Sequence, residues 1–193
     1  MRPLAERFAP GAEHVFLPPV ATAVESVGRS GVIVGWSLGA WRVLEAASRG
    51  VRIPGKVLLL APFVAFCSEF GLGGRCSQTQ VGWLQRWMRR NPGAALQDFY
   101  QRAGLGEAPA QMPYAQDGLL EGLARLAEDA SPELRQFATK GLPEQWQAVI
   151  GQADPLLDAA GICSALPGCS IVPGAGHAPE QLIAALGNGS HAV

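Results

Sequence analysis

Short apolar runs alternate along this chain with longer stretches of helical spacing. The runs His14–Leu17, Val32–Gly35, Lys56–Leu60, Gln147–Ile150 and Ser170–Val172 are rich in Val, Ile or Leu. Strands covered on both faces read this way, as continuous apolar segments without strict alternation. Helical patterns fall at 20–28, 38–49, 156–165 and 179–186. The second carries Ala40, Trp41, Leu44 and Ala47 at spacings of three and four, and Gly50 follows as a C-terminal cap. Strand and helix in turn predict an α/β fold, with a mostly parallel sheet of about five strands and helices on both faces.

From Ala65 to Lys140 the alternation stops. This stretch has no strand pattern and offers helices near 80–90, 92–103, 117–128 and 131–139, broken by Gly and Pro. A run of helices between sheet strands predicts a helical lid over residues 65–140, covering a core formed by 1–64 and 141–193. A separate helical subdomain is the other reading. The small, polar residues 187–193 are expected to form a loose tail.

Composition narrows the class. A chain of 193 residues makes one domain with a real core. Hydrophobic residues at 48% against charged residues at 16% exclude a disordered chain. A net charge of -1 gives no sign of nucleic-acid binding. No apolar run approaches membrane-spanning length, and Arg2, Glu6, Arg7, Glu13 and His14 interrupt any signal-peptide core, so a cytoplasmic protein is expected. Cys67, Cys76, Cys163 and Cys169 form no Cys-x-x-Cys pair and have no His at zinc spacing. Free thiols in a reducing compartment are expected, with no metal and no cofactor.

The chemistry concentrates at Gly35-Trp36-Ser37-Leu38-Gly39. This Gly-x-Ser-x-Gly segment follows a predicted strand and opens a predicted helix. A serine at such a corner is presented above the sheet at a helix N-terminus, and glycines relieve the crowding that a side chain would cause. The Leu38 N–H can then point at a developing oxyanion. A serine hydroxyl needs a base. Of the three histidines, His14 lies in the first predicted strand and His191 in the tail. His177 lies in a loop of small residues after the last predicted strand, on the same carboxyl edge as Ser37, where ligands bind in open α/β sheets. Asp154 ends the strand before it and precedes Pro155, which gives the order Ser, Asp, His. Asp158 is its rival as orienting acid, and a helix cap is the other role open to Asp154.

These residues place the chain beside a known family. Gly-x-Ser-x-Gly, a strand-end Asp and a late Gly-His resemble the α/β-hydrolase superfamily, from about Leu4 to Leu186. More narrowly, Gly35-Trp-Ser-Leu-Gly39 and Gly176-His-Ala-Pro179 resemble the pimeloyl-carrier-protein methyl ester esterases of biotin synthesis. That resemblance implies hydrolysis of a methyl ester at the end of an acyl chain on acyl carrier protein, with Trp36 lining the acyl channel. Between Cys67 and Leu105 the bases are Arg75, Arg86, Arg89, Arg90 and Arg102, and the acids only Glu69 and Asp98. On a helix Trp83 and Trp87 share one face, and Arg86 and Arg90 a neighbouring one, with Arg89 close by. An apolar inner wall of tryptophans and a basic outer wall for an acidic carrier fit this pattern. An ordinary solvated arginine face is the plainer reading.

The chain departs from the family at its N-terminus. Strands that relatives carry there, and a turn supplying a second oxyanion donor, are expected to be missing. The functional expectation is a serine ester hydrolase, most narrowly of carrier-linked methyl esters. The alternatives are a generic carboxylesterase or thioesterase, and a weak or inactive hydrolase-like binding protein.

Overall fold

A computed structural model describes residues 5–6, 9–18, 24–25, 31–53, 55–111 and 114–188. Four strands form one sheet: β1 (Val32–Trp36), β2 (Lys56–Leu60), β3 (Trp146–Gly151) and β4 (Cys169–Val172). Their spatial order is their chain order, and every neighbouring pair is parallel. The register sets Trp36 opposite Leu60, Leu60 opposite Val149, and Gly151 opposite Val172. All four strands therefore end at one edge.

Position in the sheet decides how each strand is buried. The central strands are closed: Val57 to Leu60 of β2 and Ala148 to Ile150 of β3 are all buried. Covering each Leu or Ile side chain contributes about 1.5–3 kcal/mol. The outer strands are more open, with Val32 and Val34 of β1 exposed and Ile171 of β4 likewise. Apolar composition alone does not separate an edge strand from a central one.

The sheet has four strands where about five were expected. His14–Leu17 is not part of it, and Val15 there is 73% exposed. The apolar run reads as a strand, but only a neighbour with open backbone groups makes it one. The helix expected at 20–28 lies outside the described residues except for 24–25, and the tail beyond 188 lies wholly outside them.

Helix α1 (Leu38–Ser48) follows β1 and packs on it. Gly50, at φ +83°, ends it, and its N–H donates to the Ala47 carbonyl at 2.9 Å. The buried side is wider than one stripe, taking in Val43 and Ala46 besides Ala40, Trp41 and Leu44. Arg42 is buried too, and reaches Glu45 and Glu121 at 3.2 Å each.

Between β2 and β3 lie a 3₁₀ turn (Ser68–Phe70) and four helices: α2 (Gln78–Arg90), α3 (Pro92–Arg102), α4 (Gln116–Leu126) and α5 (Pro132–Thr139). Their starts follow local chemistry. Ser77 and Gln80 form a reciprocal capping box at α2, and Asn91 and Ser131 cap α3 and α5 ahead of Pro92 and Pro132. Helix α2 packs against α3 and α4, and α5 against α1. Helices α6 (Ala159–Ala165) and α7 (Pro179–Asn188) flank β4 in the chain and pack back on the sheet. Helix α6 starts at 159 rather than 156, because Asp158 caps it through the Gly161 N–H at 2.8 Å. No helix among the described residues is long and apolar enough to cross a membrane.

Candidate active site

Three connections leave the carboxyl edge of the sheet and meet there. At the end of β1, Ser37 adopts φ +53°, a left-handed conformation that L-residues rarely take. The surroundings hold it. The Ser37 N–H donates to the Leu60 carbonyl at 2.8 Å, continuing the β1–β2 ladder past its last pair. Gly35 lets α1 turn back closely, since a Cβ there would stand 2.8 Å from the Ala40 Cα. Leu38 is the first residue of α1, so its N–H has no partner within the helix.

After β3, the chain turns at Asp154, which is fully buried. Its Oδ1 accepts from the Leu156 and Leu157 N–H groups at 2.9 and 3.1 Å, and Oδ2 meets His177 Nδ1 at 2.7 Å. One carboxylate thus both holds its own turn and faces the histidine. Asp158 points elsewhere, capping α6 and pairing with Arg75 at 3.2 Å. Arg75 also donates to the Asp154 carbonyl at 3.0 Å, so a residue from the insertion braces the turn.

After β4, residues 173–178 carry His177, only 1% exposed, across that turn. The Ala153 N–H donates to the Ala175 carbonyl at 2.8 Å. Gly151 makes the crossing possible: a Cβ there would lie 2.2 Å from the Gly176 carbonyl oxygen and 2.4 Å from that of Ala175. His177 Nε2 stands 3.0 Å from Ser37 Oγ. Because a carboxylate only accepts, Nδ1–H donates to Asp154, which leaves Nε2 to accept from the serine hydroxyl.

Trp36 lies beside this line. Its indole Nε1–H donates to the His177 carbonyl at 3.0 Å, and the two rings sit 5.7 Å apart, centroid to centroid. Neither this bond nor the role of Gly151 has a signal in the sequence, because both depend on loops far apart in the chain.

The other singled-out residues lie on α2. The Trp83 and Trp87 rings sit 4.7 Å apart, tilted by 54°, and the fully buried positions of the helix are Val81 and Met88, with Leu84 and Trp87 partly buried against the core. Trp83, 45% exposed, is on the rim of an apolar cleft that includes Phe66, Leu123 and Leu156. Trp87 does not line that cleft. The amphipathic Trp83 indole takes the rim, while Trp87, like Leu84, is partly buried against the core. Arg86, Arg89 and Arg90 are exposed.

No thiol competes as nucleophile. Burial pushes the Cys67 thiol up to about 11, helped by nearby Glu69 and Cys76. Burial also raises Cys76, Cys163 and Cys169 above the usual thiol range. A neutral thiol is a poor nucleophile. Among the described residues, no group of three His, Cys, Asp or Glu is arranged to hold a metal ion.

A parallel sheet with a serine at a strand-to-helix corner and a buried Asp–His pair facing it defines the α/β-hydrolase class. A sequence model of the Alpha/beta hydrolase family matches residues 4–182, and the chain belongs to that family. Its fold is similar to that of an esterase from Exiguobacterium antarcticum, at 16% identity and a TM-score of 0.55, covering 77% of this chain and 60% of that one. It is also similar to an α/β-hydrolase fold protein from Burkholderia ambifaria, at 18% identity and a TM-score of 0.54, covering 84% of this chain and 66% of that one. The chain thus spans about three fifths of the first of these structures and just under two thirds of the second. No curated protein matches it.

Proposed function

We propose that this chain carries the machinery of a serine ester hydrolase. The observation behind this reading is the continuous line Ser37–His177–Asp154, with contacts of 3.0 and 2.7 Å. In the reaction, Ser37 Oγ attacks the ester carbonyl while His177 Nε2 takes its proton. Asp154 holds the ring and stabilises the imidazolium. The Leu38 N–H, at the positive end of α1, donates to the oxyanion. The tetrahedral species collapses, the alcohol leaves with the proton from His177, and water resolves the acyl-enzyme through the same base.

Hydrolysis of a short p-nitrophenyl ester by this chain and by Ser37→Ala tests the reading. Loss of about 10⁴-fold or more in the variant is expected. Equal turnover in the two overturns it, and no turnover from a folded chain overturns it in favour of a hydrolase-like binding protein.

Within this class we favour an acyl ester presented by an acidic carrier protein over a free small ester. Arg86, Arg89 and Arg90 are exposed on one helix and have no carboxylate partner among the described residues. Arg42 has two, Arg49, Arg75, Arg102, Arg125 and Arg135 each have one, and outside α2 Arg52 has none among the described residues. Three unneutralised cations beside the half-exposed Trp83 favour an anionic partner. The finer reading, a pimeloyl-type methyl ester, rests on the motif resemblance. Reversing the three charges to Glu should lower kcat/KM for the carrier-linked ester by about tenfold or more while sparing the p-nitrophenyl ester. An equal effect on both substrates counts against a carrier.

A further inference from the structure

Trp36 stands immediately before Ser37 in the chain, and its side chain grips the loop that carries His177. β1 delivers both residues to the same corner, so one dipeptide contributes a hydroxyl to the imidazole and an indole N–H to the backbone behind it. The bond joins residues 141 apart in sequence and is half-buried, where water competes poorly for the donor. The two rings also sit 5.7 Å apart, tilted by 49°.

The remaining supports of the base come from elsewhere. Asp154 holds Nδ1, the Gln181 side-chain oxygen accepts from the Gly176 N–H at 2.6 Å, and the Ala175 carbonyl accepts from Ala153. These fix His177 to β3 and α7. Among the described residues, Trp36 is the residue that ties the base loop to the nucleophile's own strand apart from the Ser37–His177 contact itself.

We propose that Trp36 is a positioning residue, whose indole N–H sets the distance between His177 and Ser37 by holding the His177 carbonyl. This rests on the serine-hydrolase reading above. It differs from the channel-lining role that the family resemblance implies, and the two roles predict different kinetics. A brace affects every ester alike through kcat. A channel wall affects long acyl chains through KM and leaves short esters alone.

The test is Trp36→Phe, which keeps an aromatic ring and removes the donor. With short and long p-nitrophenyl esters, kcat should fall about three- to tenfold for both, with KM changed by less than about twofold. The His177 Nδ1 proton, displaced far downfield by its bond to a carboxylate, should exchange with water faster in the variant. Unchanged kcat and exchange overturn the proposal. A KM rise confined to long esters also overturns it, in favour of the channel.

If the variant does not fold, the unsubstituted chain still decides. The Trp36 indole proton should exchange at least roughly tenfold more slowly than that of the exposed Trp83, and equal rates sink the brace. A folded chain whose Ser37 neither turns over ester nor reacts with a fluorophosphonate removes the hydrolase reading. The indole exchange would separately report on the bond.

Discussion

Two close approaches in this molecule look alike and are not. At the end of β3, a Cβ on Gly151 would come within 2.2 Å of the Gly176 carbonyl oxygen and 2.7 Å of the Ala175 carbonyl carbon. On α4 in the insertion, a Cβ on Gly122 would come within 2.9 Å of Leu38 Cδ2. In the first case backbone lies against backbone, and the loop that must yield carries His177. In the second the obstacle is the tip of a leucine, which can change rotamer. The approach at Gly151 holds the site by backbone contact, whereas the approach at Gly122 meets α1 through an adaptable side chain.

The largest expected effect is therefore at Gly151. Gly151→Ala should push the 175–177 loop away from the Asp154 turn and lower kcat by about a hundredfold, as a displacement of about 1 Å can do. The overpacking should also cost about 1–3 kcal/mol in denaturant unfolding. Near-wild-type turnover would show that the loop yields as easily as a side chain, and would dissolve the contrast.

A middle effect belongs to the insertion's anchoring. Leu134 of α5 is 1% exposed, and α5 packs on α1. Leu134→Ala should cost about 2–5 kcal/mol by leaving a cavity. The kcat of the molecules that remain folded should change little, because no backbone at the sheet edge moves. A fall in kcat comparable to that of Gly151→Ala would mean that the insertion positions the site as tightly as the sheet does.

The smallest effect should come from Gly122→Ala. Helix propensity favours the alanine by up to about 1 kcal/mol, and a shifted Leu38 side chain offsets part of this. Thermal unfolding should move by a few degrees at most in either direction, with kcat within about threefold, since the Leu38 N–H is fixed by α1 rather than by its side chain. A large loss of activity would instead make Leu38 the route by which the insertion acts on the oxyanion site.

Much of this architecture is legible in the chain. The Val- and Leu-rich runs at 32, 56, 147 and 170 coincide with β1 to β4, and Gly50 marks the end of α1. Ser37, Asp154 and His177, chosen from a strand-to-helix corner, a strand end and a small-residue loop, lie in hydrogen-bond contact. The failures have a common origin. His14–Leu17 has the composition of a strand but is not in the sheet. On α2 both Trp83–Trp87 and Val81–Leu84–Met88 obey helical spacing, and only packing buried Val81 and Met88, set Leu84 and Trp87 partly against the core and left Trp83 exposed. A helix cap is the other role the sequence leaves open for Asp154, but Asp158 caps that helix, while one Asp154 oxygen holds the local turn and the other faces the histidine.

What the sequence determined by itself is local: where strands and helices begin and end, which serine sits at a corner that only small neighbours permit, and which helix starts carry their own caps. These depend on residues a few positions apart, so a one-dimensional reading reaches them. The tertiary structure alone decided which long-range partners meet. The parallel register of β1, β2, β3 and β4 brings three turns to one edge, sets the Trp36 indole against a carbonyl 141 residues away, and passes the His177 loop over Gly151. A hydrogen bond or a steric limit acts over about 3 Å of space, and no spacing along the chain encodes which distant group will lie within it.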